Sequence, residues 1–242
     1  MPSETRSREQ GRSSDDGDRL VRTGRPLVDG APSDGPTLEL ALESPATVRL
    51  RQSPAPLVSD PASETWATLL ARPDSGESDR PVLVQWVSPS SPAPPVHRHP
   101  KTETFRALEG QLTVVREGDP VPLAPGESLT VEPGQTHTFR NDTDETVAFS
   151  AELPSMWTVK GLYTAWGLAH ERIGDSPGPL QSLAIAAALY DETVTAIAPP
   201  PIQRLLWPAV GRLARLAGVD GIDDAYLDAS FWDRHVEQPA WD

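Results

Sequence analysis

The chain has no cysteine among its 242 residues, and no run of about 18 consecutive apolar residues occurs in it. Without cysteine, disulfides, thiolate nucleophiles and cysteine-ligated zinc or iron–sulfur sites are excluded. Any metal ion must therefore bind through nitrogen and oxygen atoms. The lack of a long apolar run argues against a membrane-spanning helix, and residues 1–20 have no apolar core of the kind that a secretory signal needs. We therefore expect a cytoplasmic protein.

Basic residues are also few: the chain has 21 basic and 35 acidic side chains, which give a formal net charge of −14. A charge of this sign repels the phosphate backbone of nucleic acid, and no cluster of lysine and arginine is dense enough to reverse the local field. We expect no nucleic-acid partner. A membrane surface is also disfavoured, because the few arginines of residues 199–218 are a weak anchor for a chain this acidic.

Changes in composition divide the chain into three regions. Residues 1–36 are rich in serine, aspartate, arginine, glycine and proline and contain no aromatic residue, which predicts a disordered tail. Residues 37–153 carry short apolar or alternating runs separated by turn residues, including TLELALE, ATVRLRQ, PVLVQWV and QLTVVRE. Such runs are typical of an all-β sandwich or barrel. From residue 154 the apolar period changes to roughly 3.6, which predicts a helical extension over residues 154–242.

The extension is expected to contain three helices. The second is predicted from Pro179 to about Val194, and the third over residues 199–218, with a kink or an interruption at Pro208. The apolar faces of these helices need a partner surface, which is either the outside of the β region or the same extension of a second subunit in a homodimer. The first helix has one apolar face, made of Val159, Leu162, Tyr163, Trp166 and Ile173.

Two of the five histidines stand one residue apart in PPVHRHPKTETFRALEGQLTV, residues 94–114. Because side chains alternate along a strand, His97 and His99 point to the same side and can share one ion. Pro100 is expected to end this strand, after which Glu103 adds a carboxylate oxygen from the neighbouring strand. Two imidazoles and one carboxylate form an open ligand set that suits Fe(II) and related first-row ions.

A fourth candidate ligand occurs in GESLTVEPGQTHTFRN, residues 126–141. A proline–glycine pair marks a tight turn in this segment, and His137 opens the strand that follows it. If that strand runs beside the strand of His97, the site consists of three imidazoles and one carboxylate, with one or two positions left for water or substrate. Four further residues of the two segments are interpreted as structural: Gly110, Gly126, Gly134 and Asn141.

Together the two segments resemble the paired motifs of the cupin superfamily, with every metal-ligand position filled. The resemblance implies a small double-stranded β-helix barrel, a cupin-like jelly roll, with a divalent transition metal inside. Two other motif positions depart from the family, because Ser91 stands where it usually has glycine and Glu132 where it commonly has proline. The matching residues are His97, His99, Glu103 and Gly110 in the first segment and Gly126, Gly134, His137 and Asn141 in the second.

Cupin-like barrels host many reactions, so the resemblance leaves the chemistry open. Our first hypothesis is a metal-dependent enzyme of the oxygenase or isomerase type that acts on a small organic molecule, with iron, manganese, nickel or zinc as the ion. The alternative is a non-catalytic cupin that binds or senses a small molecule. Phe105 and Phe139 point to the same side of their strands as Glu103 and His137, so they either line a substrate pocket or pack in the core. His170 and His235 of the extension are predicted to have partly exposed, structural roles.

Overall fold

Fifteen strands and five α-helices make up the part of the protein that the computed structural model describes, residues 19–73, 76, 78–172, 178–195 and 200–241. The strands are β1 (Leu20–Thr23), β2 (Leu27–Val28), β3 (Ala31–Pro32), β4 (Leu38–Ala41), β5 (Val58–Asp60), β6 (Thr65–Ala71), β7 (Val82–Val87), β8 (His97–Arg98), β9 (Glu103–Glu109), β10 (Leu112–Arg116), β11 (Asp119–Leu123), β12 (Ser128–Val131), β13 (His137–Asn141), β14 (Val147–Glu152) and β15 (Val194–Thr195). The helices are α1 (Pro45–Gln52), α2 (Met156–Glu171), α3 (Pro179–Leu189), α4 (Pro200–Leu216) and α5 (Ala229–His235), with a 3-10 helix over Asp224–Leu227.

Two antiparallel sheets share one core. The larger sheet has the strand order β12-β9-β14-β7-β6-β5, and the other has the order β11-β10-β13-β8-β15. Phe105 and Phe149 of the larger sheet belong to the same buried cluster as Leu112 and Val114 of the other. The predominantly β architecture followed by helices agrees with the coarser part of the predicted fold class, a β domain with a C-terminal helical extension. Closure of the sheets into a barrel stays a prediction.

Strand β7 is buried on both faces, which explains why its sequence VLVQWV is almost entirely apolar. Leu83 and Val87 pack in the cluster that the two sheets share, whereas Val84 and Trp86 pack in a second cluster on the other face. Gln85 has the parity of Leu83 and Val87, so the one polar side chain of this strand faces the shared core.

Part of the predicted N-terminal tail is regular structure. Residues 1–18 lie outside the described residues, but β1 pairs with β4 in an antiparallel register. The indole nitrogen of Trp66 donates a hydrogen bond to the Gly24 carbonyl at 2.9 Å. For residues 19–36 the structure therefore differs from the expected disorder, because the backbone of this polar segment finds partners in distant parts of the chain.

The run ATVRLRQ is a helix, although we expected a strand. The whole run belongs to α1, which begins with Pro45 at a position that tolerates the missing backbone N–H. The Ser44 side chain accepts a hydrogen bond from the backbone nitrogen of Thr47 and so caps the helix. The strong N-terminal helix signal outweighs the β-branched residues inside the run.

The helical extension begins with α2, whose Tyr163 and Trp166 are buried in the cluster shared by the two sheets. This helix packs on β5 and on α3. The predicted member Ile173 of its apolar face lies outside the described residues. Packing of α2 on the sheets agrees with one of the two partner surfaces that we expected for the extension.

The other helices differ in detail from the expectations. Helix α3 ends at Leu189, earlier than predicted, because Val194 and Thr195 pair with β8 as strand β15. Helix α4 runs through Pro208 as one element, rather than being interrupted there. Among the described helices, none combines the length and the apolar character that a membrane crossing requires.

Candidate metal centre

The four predicted ligands converge because two neighbouring strands carry the histidines. His137, the first residue of β13, pairs in register with His97 of β8. His99 follows β8 directly, and Glu103 opens β9 after the short connection past Pro100. The alternation that places His97 and His99 on one side of the chain thus aims both rings toward the strand that carries His137.

One ligand atom from each of the four residues lies within 4.8 Å of the others. The His137 Nε2 atom is 2.7 Å from Glu103 Oε2, and His99 Nε2 is 3.2 Å from the same oxygen. The His97 ring lies 4.4 Å from the His137 ring, measured between centroids. His99, Glu103 and His137 are buried, and His97 is half-buried. The structure therefore brings all four predicted residues together, and their metal binding stays a prediction.

The other nitrogen of each imidazole is held by a backbone carbonyl. Because a carbonyl only accepts, each Nδ1 atom must carry the proton, which leaves the Nε2 lone pair for a ligand. The Nδ1 contacts are to Pro95 at 2.7 Å for His97, to Glu192 at 2.7 Å for His99 and to Gln135 at 3.3 Å for His137.

The short contact between His137 and Glu103 indicates whether the four candidate ligands suit a cation. With the proton of His137 on Nδ1, its Nε2 lone pair faces a carboxylate oxygen at 2.7 Å. Two such atoms repel each other unless a positive charge lies between them, either a second proton on the ring or a metal ion. Three imidazole nitrogens and one carboxylate oxygen also match the donors that first-row divalent ions prefer. The residues present fit a divalent transition metal.

The protonation states of two of these side chains favour metal binding. Burial and, to a smaller extent, the neighbouring His137 lower the pKa of His97 to about 4, so His97 is neutral near pH 7. For Glu103, burial by itself raises the pKa, but hydrogen bonds and charge from His137 and His99, which require a proton on Nε2, outweigh burial and lower the pKa to about 2. A metal ion in the place of that proton would stabilise the carboxylate in the same way. A neutral imidazole and an ionised carboxylate are the forms that bind a metal ion.

The residues interpreted as structural have the expected roles. Gly110, Gly126 and Gly134 all have positive φ, between 66° and 91°, where a side chain is disfavoured. The Asn141 side-chain amide donates to the carbonyls of Val87 at 3.0 Å and Glu145 at 2.7 Å. These residues fix the turns and strand ends around the site.

A cavity of about 480 Å³ opens beside the candidate ligands and is lined by His97, His99 and Glu103. Phe105 and Phe139 line it as well, so both belong to the pocket wall as well as to the apolar core. The fully buried His137 lies behind this wall. The cavity is large enough for a small organic molecule.

Sequence reasoning missed the contribution of the helical extension to the site. Nine residues of α2 and α3 line the cavity, and the carbonyl of Glu192 holds the His99 ring. Gln85 of β7 also lines it and was not singled out. Gln85 is the one amide side chain in an otherwise apolar strand, and this sequence signal could have identified it. The contacts of the helices have no local signal in the sequence. The lining residues of the two helices are Thr158, Gly161, Leu162, Ala165, Trp166, Ser182, Ile185, Ala186 and Leu189.

The remaining histidines lie away from the site, as expected. His170 is buried rather than partly exposed, and its Nε2 atom lies 3.0 Å from the carbonyl of Ser59. The ring of His235 stacks on Phe231 at 4.1 Å, and its Nδ1 donates to the Phe231 carbonyl. Both therefore have structural roles.

Comparisons with known proteins assign the central part of the chain to a domain family. A family model described as "Cupin domain" matches residues 84–154. A search of curated proteins found no match. Among solved structures, the chain is similar to the polyketide cyclase RemF from Streptomyces resistomycificus, with 25% identity over 42% of this chain and 73% of that chain and a TM-score of 0.36.

Two further solved structures are similar over shorter stretches. A cupin 2 conserved barrel domain protein from Salinispora arenicola is 24% identical over 37% of this chain and 74% of that chain, with a TM-score of 0.33. A salicylate 1,2-dioxygenase from Pseudaminobacter salicylatoxidans is 28% identical over 35% of this chain and 26% of that chain, with a TM-score of 0.31. These scores are too low to carry an argument about the reaction. The cupin-domain match spans both ligand-bearing segments, so residues 84–154 of this chain are a cupin domain.

Proposed function

We propose that the protein is a metal-dependent enzyme of the oxygenase or isomerase type that acts on a small organic molecule. The observation that carries the proposal is the group of four ligand atoms within 4.8 Å of one another, at the wall of a cavity of about 480 Å³. His97, His99, Glu103 and His137 would hold the ion, which is iron, manganese, nickel or zinc. When bound, such an ion supplies Lewis-acid or redox chemistry to an oxygen atom of the substrate.

The chain itself orients the ligands and lines the space beside them with apolar side chains. The backbone carbonyls at the three Nδ1 atoms fix each ring, so that little reorganisation is needed when an ion binds. Phe105, Phe139 and Trp166 give the space beside the ligands an apolar, aromatic wall. In such surroundings the interaction of a charge with a polar substrate group is stronger than in water.

A binding or sensing role is the second candidate, and the cavity offers one observation in its favour. Apart from the ligand group, the titratable side chains that line the cavity are Asp60 and Arg140. Asp60 accepts from Ser63 and from the backbone nitrogen of Ala62, and Arg140 is paired with Asp142. No general acid or base is therefore unengaged among the described lining residues, which suits a protein that captures a molecule without transforming it.

Metal content tests the site directly. The protein purified without chelators should contain about one transition-metal ion per chain, measured by mass-spectrometric elemental analysis. The double substitution His97→Ala and His99→Ala should abolish stoichiometric binding, since two of four ligands are removed. The matched control is His235→Gln, which removes a histidine of the extension and should keep the ion. Full occupancy in a folded double variant would contradict the ligand assignment.

Turnover separates the two candidate functions. Metal-reconstituted protein is incubated in air with diketones, thiols, phenols and sugars, and the products are analysed by mass spectrometry. Conversion that is lost in the double variant supports the enzyme. Tight binding of a compound that is recovered unchanged supports the sensing role instead.

A further inference from the structure

The cavity beside the ligand group is lined mainly by apolar side chains. Its walls come from the larger sheet, from the segment before β8 and from the two helices α2 and α3. A molecule that fills such a space gains free energy chiefly by removing its own apolar surface from water. The main apolar contributors are Leu83, Phe105, Phe139, Phe149, Leu162 and Trp166.

Gln85 is the exception in this wall. It is the only carboxamide among the lining residues, and its side chain is 7% exposed. Within the part of the chain that the structure describes, no hydrogen bond involves the Gln85 side chain. The amide atoms keep some exposure toward the cavity that the residue lines, so their hydrogen-bond partner is whatever occupies the cavity, either water or a bound molecule.

A second unpaired polar atom points to the same conclusion. The hydroxyl oxygen of Thr158, on helix α2, is buried without a hydrogen-bond partner, and Thr158 lines the same cavity. The helical extension and the sheet thus each carry one unpaired polar group in a residue that lines the cavity, although the Thr158 oxygen itself is covered. Both groups are uncharged.

The position of Gln85 relates it to the candidate metal centre. In the sheet it pairs in register with Phe149, whose ring lies 6.0 Å from the ring of Phe105. The Phe105 ring lies 6.0 Å from the ring of His137. Gln85 and the aromatic side chains Phe149 and Phe105 therefore border the same cavity as the candidate ligands.

We propose that the cavity binds an uncharged, mainly apolar organic molecule, and that Gln85 orients it by pairing with a carbonyl or hydroxyl oxygen of that molecule. The inference rests on the proposed function, since it assigns the substrate class of the same site. Charged molecules are disfavoured because the lining side chains Asp60 and Arg140 are already engaged with protein partners. Apart from the ligand group itself, nothing else in the described wall offsets the cost of removing a charge from water.

Binding of three naphthalene probes tests the proposal. They are 2-acetylnaphthalene, which is uncharged with one carbonyl; naphthalene, which has no polar group; and 2-naphthoate, which is charged. Affinities are measured by calorimetry or by quenching of tryptophan fluorescence, on the full chain in EDTA. The wild-type chain should bind 2-acetylnaphthalene more tightly than 2-naphthoate. The substitution Gln85→Met should weaken binding of 2-acetylnaphthalene about tenfold and leave naphthalene unchanged, because one hydrogen bond is lost at nearly constant shape.

Thermal unfolding of the same variants separates recognition from a structural role. Replacing an unpaired amide by an apolar side chain of similar shape should leave the melting temperature of the ligand-free protein equal or higher. The control Gln52→Leu, at an exposed position in α1, should change neither binding nor melting. A Gln85→Leu variant repeats the measurement if the methionine variant does not fold.

Three results would overturn the inference: equal affinity of wild type and variant for 2-acetylnaphthalene, tighter binding of 2-naphthoate, or a large loss of stability in both Gln85 variants. The probe measurements are made without metal, so they fail independently of the proposed function. If the chain binds no metal but discriminates among the probes, the enzyme proposal fails and the binding site remains.

Discussion

Mild acid should destabilise the protein through His170, a histidine that takes no part in the candidate site. Its side chain is 9% exposed, in the last turn of α2, and its Nε2 atom lies 3.0 Å from both the hydroxyl and the carbonyl oxygens of Ser59. Burial lowers the pKa of His170 from its ordinary value of 6.5 to about 4, against a smaller raising effect of the Ser59 carbonyl. The ring is therefore neutral in the folded protein at pH 7.

The direction of the pH effect follows from this lowered pKa. As the pH falls below 6.5, the unfolded chain takes up the proton while the folded chain does not, so the free energy of unfolding decreases. The contribution of neutral His170 is fully present above about pH 6.5 and is lost as the pH falls toward about 4. At pH 5, a pKa difference of this size corresponds to a loss of about 2 kcal/mol relative to pH 8.

Denaturant unfolding of the wild type and of a His170→Gln variant measures this loss. Both proteins are unfolded at pH 8, 7, 6 and 5 in EDTA, with tryptophan fluorescence as the signal, so that metal binding does not contribute. The glutamine keeps an N–H donor for the Ser59 carbonyl but does not titrate. The wild type should lose about 2 kcal/mol more than the variant between pH 8 and pH 5. Parallel curves for the two proteins would refute the assignment of a buried, neutral His170.

Two further predictions concern the ends of the chain. Deleting residues 1–36 should lower the melting temperature by several degrees, whereas deleting residues 1–18 should not. Only the longer deletion removes β1 and the Gly24 carbonyl that accepts from Trp66. Equal melting temperatures of the two deletion variants in calorimetry would show that β1 does not stabilise the fold. We also propose that a second copy of the chain covers the exposed apolar residues of α4, among them Leu205, which is 82% exposed. The helix has three arginines and no acidic residue, so it is attracted to another chain of net charge −14. Leu205→Glu should then convert a dimer to a monomer in light scattering, and a wild-type monomer that floats with anionic vesicles would instead assign the face to a membrane.

Local spacing was sufficient to find the candidate ligands. A strand alternates its side chains every two residues, so His97 and His99 must share a side wherever the strand lies in the molecule. The turn glycines Gly110 and Gly134 are equally local, because positive φ disfavours any side chain. The absence of cysteine limited the donors to nitrogen and oxygen before any fold was known. These features depend on the geometry of a few consecutive residues, and the sequence determines them by itself.

Only the tertiary structure decided what surrounds the ligands. The carbonyl that holds the His99 ring belongs to Glu192, 93 residues further along the chain, and the contact exists because β15 pairs with β8. In the same way, Gln85 became a candidate only when α2 and α3 were seen to enclose the space that its strand faces. Contacts of this kind are selected by the packing of whole elements against one another, in which many weak apolar contacts compete, and no short stretch of sequence encodes the outcome.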